Sequence, residues 1–216
     1  MIRRLLELLV IVLVAILVGI DFLTRHLAAT TVANQARHST GAASGTASIS
    51  GFPFLYDTLA EGRVHGVTVH LSEVPAGPGL VLQTVSVDLT GVKLDKHNLW
   101  AHRKVTVTAI ASGTGVIDVS APELSAVAHR TVTVAGGGQL LVDVGAGRTV
   151  TATASITSGH FLEIRAGGLP VLVVDLARTT LVQECAMSLK VTASGVEASC
   201  TMSPVPPSVI TALSSG

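Results

Sequence analysis

The sequence predicts an α+β, β-rich fold: a strongly curved antiparallel sheet and a long N-terminal helix, preceded by a transmembrane helix. Three observations predict it. Leu5 to Leu23 is almost wholly apolar. From Val64 to Ala166, apolar and polar residues alternate in short runs between glycine-containing turns, the pattern of an antiparallel meander. The alternation slips by one residue at Gly66 and again at Gly91. Such a slip turns an apolar face outwards unless the strand bulges, and bulged strands bend, as they do in a sheet that wraps around something.

The apolar run follows Met1-Ile2-Arg3-Arg4 and is interrupted only by Glu7 and Asp21. Nineteen helical residues span roughly 28 Å, close to the hydrocarbon thickness of a bilayer. The two arginines place the N-terminus in the cytoplasm and the rest outside. Residues 1–23 are therefore a retained anchor or a signal. Thr31-Val32-Ala33 is a tolerable cleavage site, but it lies ten residues past the apolar run. Residues 24–40, Ala/Thr-rich and free of Gly and Pro, continue the helix outwards without a clean apolar stripe. The main domain is expected over 24–203, with a Pro-containing tail over 204–216, where Pro204-Val-Pro-Pro207 excludes a central strand.

Cysteine usage agrees with export. Cys185, Met187, Leu189 and Val191 share one parity; Val196, Ala198, Cys200 and Met202 share another across a turn near Ser194-Gly195. A tight hairpin puts both cysteines on one face at nearly opposed positions. Outside the cytoplasm they are expected to form a disulfide; the alternative is two small buried hydrophobes.

Along the body, Val67/Val69/Leu71, Val85/Val87/Leu89, Val105/Val107/Ala109, Val132/Val134, Leu140/Val142/Val144, Val150/Ala152/Ala154/Ile156 and Leu162/Ile164/Ala166 read as strands. Thr106 then falls on an outer face. Ser120-Ala-Pro-Glu123 opens a helix to about His129 with a cap, an early proline and an acidic first turn. Leu169-Pro170 opens either a second helix, to about Arg178, or a strand through Val171–Val174.

Composition excludes several functions. The formal net charge is zero, so no basic groove for nucleic acid is expected. The hydrolase elbow, the phosphate loop and a complete Gly-x-Gly-x-x-Gly are absent. His65 and His70 point to opposite faces of a strand. His97 and His102 flank Trp100 in a loop at no recognised ligand spacing. No carboxylates are paired by local spacing. No enzyme activity, metal or cofactor is expected.

The densest cluster is Gly51-Phe-Pro-Phe-Leu-Tyr56, followed by Leu59; it holds three of the six aromatic residues. It is either a core plug or an exposed apolar feature, the lip of a cavity or a membrane-touching loop. With it occur Gly62-Arg-Val-His-Gly-Val-Thr-Val69, then Gly79-Leu-Val-Leu-Gln-Thr-Val-Ser-Val-Asp-Leu-Thr-Gly-Val92, then Pro122-Glu-Leu-Ser-Ala126. In this order, over most of residues 20–203, the chain resembles the LmeA-like phospholipid-binding family of actinobacteria. The 51–55 block is the most specific part.

The resemblance implies a TULIP-like domain, a curved sheet wrapped around the long helix, anchored in the plasma membrane with the domain periplasmic. It implies non-catalytic binding or shuttling of phospholipid, of inositol type, in support of lipoglycan and envelope assembly. Partners would be phospholipid, the membrane and an envelope glycosyltransferase. The lipid-binding residues expected are Phe52, Phe54, Leu55, Tyr56 and Leu59 at an entrance, with Leu124, Val127 and Leu172 as lining. The competing reading is an envelope accessory protein that docks onto a membrane enzyme without carrying lipid. A carrier needs an apolar tunnel; a docking protein has a filled core and an exposed apolar patch.

Overall fold

A computed structural model describes residues 2–77, 79–102, 104–136, 138–157, 161–175 and 185–214; for residues 2–13, 175, 209 and 212–214 it describes the backbone alone. The chain opens with one unbroken helix, α1 (Ile2–Thr40). Within it, Val14–Thr40 is long and apolar enough to cross a membrane, and its most apolar window is only 11% buried. Its later turns carry a buried row of small residues, Ala29 and Ala33, with Ala28 and Ala36 half-buried beside them. Alanine side chains leave little between two backbones. Gly45 of strand β1 (Ser44–Ser50) takes up this closeness: a Cβ there would come within 2.9 Å of Leu71 and 3.4 Å of the Ala33 carbonyl oxygen. The helix lies along β1 and its neighbour β2 (Arg63–Gly77).

Between these strands, the aromatic block forms a single turn, α2 (Phe54–Tyr56), that runs on into a wider turn over Asp57–Glu61. The remaining elements are β3 (Leu80–Leu94), α3 (Lys96–His102), β4 (Val107–Ser120), α4 (Ala121–Ala128), β5 (Val132–Ala135), β6 (Gln139–Asp143), β7 (Thr149–Thr157), β8 (Phe161–Ala166), β9 (Leu169–Asp175), β10 (Met187–Val191), β11 (Gly195–Met202) and α5 (Pro207–Ser214). They make two antiparallel sheets, β1-β2-β3-β4-β11-β10 and β5-β6-β7-β8-β9.

The fold is thus α+β and β-rich, as expected. The expected strong curvature is corrected: the structure has two sheets, and they are not strongly curled. The pairing shows why. Gly66 of β2 lies opposite Thr90, next to Gly91 of β3, so the two slips are one feature. The hairpin keeps a single register from Arg63↔Lys93 to Pro75↔Val81, with Val64↔Val92 on one side of the slip and Val67↔Leu89 on the other. In β4 the same step separates Ile110, opposite Val92, from Gly113, opposite Leu89. A bulge bends a sheet because one strand gains a residue and its partner does not. Here neighbouring strands change phase together, so no strand outgrows the next. A second shared change lies at Glu73 (φ 55°), between Leu71↔Val85 and Val74↔Leu82.

The main core lies between the sheets. Leu71, Val74, Leu82, Ile117 and Val119 of the first meet Leu140, Val142, Leu162 and Ile164 of the second, and Leu124 of α4 fills the centre. Helix α4 begins as expected: the Ser120 hydroxyl accepts from the Glu123 N–H, and the Glu123 carboxylate accepts from the Ser120 N–H at 3.0 Å. Residues 169–175 are a strand, not a helix, with Pro170 on an edge where no ladder donor is missed. The rest of the alternative helix, 176–178, lies outside the described residues. The segment with His97, Trp100 and His102 is a short helix rather than a loop; the Asp95 carboxylate accepts from the N–H groups of His97 and Asn98 at 2.9 and 3.1 Å. Val105 precedes β4 and is exposed.

A second, smaller cluster joins Phe54, Val64, Val92, Ile110, Met202, Val205 and Ile210 with the disulfide Cys185–Cys200, whose Cα atoms are 5.8 Å apart. Met187 pairs with Cys200, so Cys185 stands one step along the ladder from direct opposition. The tail from Val205 packs onto β4, where the Val205 N–H donates to the Ile110 carbonyl.

Two outcomes follow for the full chain in detergent. Gly91 has φ +62°, and a Cβ there would lie 2.7 Å from that of Ala111. Gly91→Ala is expected to destabilise by about 1–2 kcal/mol, measured by thermal or urea unfolding; Gly136→Ala, in open space, should stay within about 0.5 kcal/mol of the parent. Thiol titration of the exported protein, denatured without reductant, should find no free thiol. Replacing both cysteines by serine should cost about 3 kcal/mol, as for a loop of this length.

Candidate functional site

The aromatic block divides. Phe54 points inwards and is buried in the smaller cluster. Phe52 and Tyr56 point outwards, 66% and 58% exposed, and Leu59 is exposed beside them. The core-plug reading therefore holds for Phe54, while its neighbours form an exposed apolar surface.

The block is fixed to α1 by one charged residue. Asp21, 5% exposed, accepts a hydrogen bond from the Leu55 N–H at 2.7 Å. Leu55 is at the start of α2, where helix N–H groups lack partners and a carboxylate is favourable. In the sequence Asp21 reads only as a blemish near the end of an apolar run. No local pattern pairs it with a residue 34 positions away, so its role was not legible.

On the far side, the Trp100 indole N–H donates to the Leu59 carbonyl at 3.1 Å while the ring stays 65% exposed. Lys96 Nζ lies 3.5 Å from the Ala60 carbonyl. The segment 51–61 is thus held between α1 and α3. Beneath it Asp57 is buried, with Oδ2 at 3.2 Å from His65 Nδ1, too poorly aligned for a hydrogen bond. The Thr58 hydroxyl is buried without a hydrogen-bond partner among the described residues. His70 contacts Ser86 Oγ at 2.8 Å; the expectation that it faces away from His65 is corrected, because the phase change at Gly66 leaves both histidines exposed, each next to a core residue, Val64 and Leu71. Among the described residues no three His, Cys, Asp or Glu side chains gather as a ligand set.

The other expected lining residues lie elsewhere. Leu124 and Leu172 are buried in the core between the sheets, and Val127 packs against it. The structure does not bring them together with Phe52, Tyr56 and Leu59. A groove of about 320 Å³ lies between β4 and α5, lined by Thr106, Val107, Thr108, Pro207, Ile210 and Thr211. Thr106, assigned by alternation to an outer face, borders this groove. Its carbonyl accepts from the Asp95 N–H at 2.8 Å, which sets the groove next to the start of α3.

The sequence model of the family described as LmeA-like phospholipid-binding matches residues 19–215. The chain belongs to that family. No curated protein and no solved structure matches it. The match to this LmeA-like family begins inside the apolar helix, two residues before Asp21, and takes in the aromatic block, both sheets and the tail.

Removing the Asp21 carboxylate strands a partly buried N–H, which costs about 1–3 kcal/mol locally. Asp21→Ala should therefore speed hydrogen exchange at Leu55 and its neighbours by roughly tenfold or more. Asp21→Asn keeps an acceptor oxygen and should keep most of the protection. Mass-spectrometric exchange of the full chain in detergent reads both.

Proposed function

We propose that the part of the chain beyond the apolar helix binds phospholipid, of inositol type, without performing chemistry on it. In this reading the N-terminus is cytoplasmic, the domain is outside the plasma membrane, and the bound lipid is passed on or presented in support of lipoglycan and envelope assembly. Membership of the phospholipid-binding family over residues 19–215 carries the reading.

Two features support it. The surface of Phe52, Tyr56 and Leu59 is apolar and adjoins the helix that reaches the membrane. The groove between β4 and α5, at about 320 Å³, lies near the lower end of ligand pockets, ~300–1,000 Å³. That suits part of one acyl chain better than a whole phospholipid. Leu124, Val127 and Leu172 would line a deeper acyl site only with the two sheets parted.

A second reading has one observation in its favour. Leu124, Leu140, Val142 and Ile164 are wholly buried between the sheets, while the aromatic surface is open. Those are the marks of an accessory protein that docks onto a membrane enzyme, such as an envelope glycosyltransferase, without carrying lipid.

The full chain, purified from a bacterial host, should carry phospholipid by native mass spectrometry and exchange it with vesicles containing phosphatidylinositol. Phe54 is core, so a charge there would test folding. Phe52 is the clean position: Phe52→Asp should reduce uptake several-fold because an unpaired charge at an apolar contact is costly. Thr153→Asp, on an exposed face of β7, should leave it unchanged. A parent chain with neither co-purified lipid nor uptake leaves the docking reading in its place.

A further inference from the structure

The exposed aromatic surface lacks a cover within the described chain, and the helix it is tied to indicates what covers it. The apolar run over residues 5–20 precedes Asp21 within α1, while the turns after Asp21 lie along β1 and β2; with the helix retained as an anchor, the run is the membrane span. Asp21 is buried against the α2 turn, so the hydrocarbon layer has to end on the Ile20 side of it. The hydrogen bond to Leu55 therefore holds segment 51–61 at the level where acyl chains give way to headgroups. Trp100 reaches the same level through Leu59. Phe22 and Leu23, next to Asp21 on the helix, are also exposed there, at 63% and 58%.

The chemistry of this surface matches that layer. Tyr56 and Trp100 are the residue types enriched at membrane interfaces, an apolar ring with a polar handle. Cationic side chains stand around it: the Arg25 guanidinium lies 5.4 Å from the centre of the Phe22 ring, Lys96 stands at Ala60, and Lys104 follows α3. The nearby carboxylates are engaged: Asp21 and Asp57 are buried, Glu61 is paired with Arg63, and Asp95 accepts the first N–H groups of α3.

We propose that Phe52, Tyr56, Leu59 and Trp100, with Phe22 and Leu23, form a foot that rests in the interfacial layer of the bilayer among anionic phospholipid headgroups. The foot fixes the height and tilt of the domain over the membrane. It rests on the helix being retained as an anchor and does not require that the domain carry lipid.

Trp100 is the chain's one tryptophan and reports on the foot directly. The full chain is reconstituted into phosphatidylglycerol–phosphatidylcholine vesicles whose lipids are brominated either near the glycerol or near the chain end. Blue-shifted emission is expected, with quenching roughly threefold stronger from shallow bromines than from deep ones, as for an interfacial ring. Aqueous iodide should quench weakly. Phosphatidylcholine alone should give less bromine quenching. Asp21→Ala should reduce it too, because the foot loses its tether while the helix, now more apolar, stays in the membrane; Asp21→Asn should not. Strong iodide quenching without bromine quenching overturns the proposal. So does iodide shielding that is lost on diluting the protein in lipid, since a second copy would then be the cover. Lipid uptake by the same preparation, measured separately, tells failure of the foot from failure of lipid binding.

Discussion

On the anchored topology proposed above, one rigid helix has to satisfy two solvents without a joint between them. At ~1.5 Å per residue, the 39 residues of α1 reach about 58 Å, twice a bilayer's hydrocarbon thickness. Its first half needs apolar side chains all round; its second half needs a narrow face for protein and a polar remainder. The changeover falls at Asp21. A carboxylate at the middle of a membrane helix costs about 2.5–3.5 kcal/mol, whereas here it accepts a backbone N–H from the domain. Sliding the helix one turn, ~5.4 Å, into the lipid would break that bond and bury the charge in hydrocarbon. Sliding it outwards would expose Leu17 and Ile20 to water. On that topology the helix is fixed along its axis, and the aromatic loop, β1 and α3 take their height from it.

Further from the membrane the structure becomes more filled. Along α1, Asp21 meets the α2 turn, Ala28 packs against the smaller cluster and Ala36 against the larger. Among the described residues the larger cluster has nineteen buried hydrophobic members and the smaller nine. The distal part is a two-sheet sandwich around the larger apolar cluster. The proximal part has less to bury, and it is there that the disulfide ties Cys185 to the centre of β11. A cross-link adds most where burial is least, since it acts on the unfolded chain rather than on packing.

Much of this was legible from local pattern. The long apolar N-terminal helix, the α4 capping box, the hairpin that brings the cysteines together and the run of strands all rest on spacing within a few residues. Phase slips were legible too, but not their meaning. Gly66 and Gly91 looked like two bulges because a sequence does not show that they stand side by side across a hairpin. The change at Glu73 went unseen because no glycine marks it. The buried face of residues 24–40 was hidden for another reason: Ala29 and Ala33 are small and stand among other alanines and threonines, and what marks Ala33 is its closeness to Gly45. Helix α3 was missed although Asp95 is an ordinary cap, because no apolar periodic run follows it. The eight expected lipid-binding residues were grouped by hydrophobicity; the structure sorts them by depth, into Phe54, Leu124 and Leu172 within cores, Leu55 and Val127 half-buried, and Phe52, Tyr56 and Leu59 at the surface.

That sorting bears on how a lipid could be held. Each CH2 taken out of a bilayer forfeits about 0.8 kcal/mol unless the protein replaces the contact. A chain of sixteen carbons would forfeit on the order of 12 kcal/mol if fully withdrawn into water. A groove of about 320 Å³ replaces only part of that, and opening the sandwich would sacrifice contacts of wholly buried residues such as Leu124 and Ile164. A domain free in solution would therefore need a deeper cavity than the groove provides. A domain held on the bilayer by α1 and an aromatic foot does not. It can engage the part of a lipid that has risen from the membrane while the remaining carbons stay in hydrocarbon. Only the protruding segment then has to be matched, and a shallow groove at the membrane-proximal end is of the right scale. On this argument the tether and the shallow site belong together: the closer the domain is kept to the membrane, the less of the lipid it has to enclose.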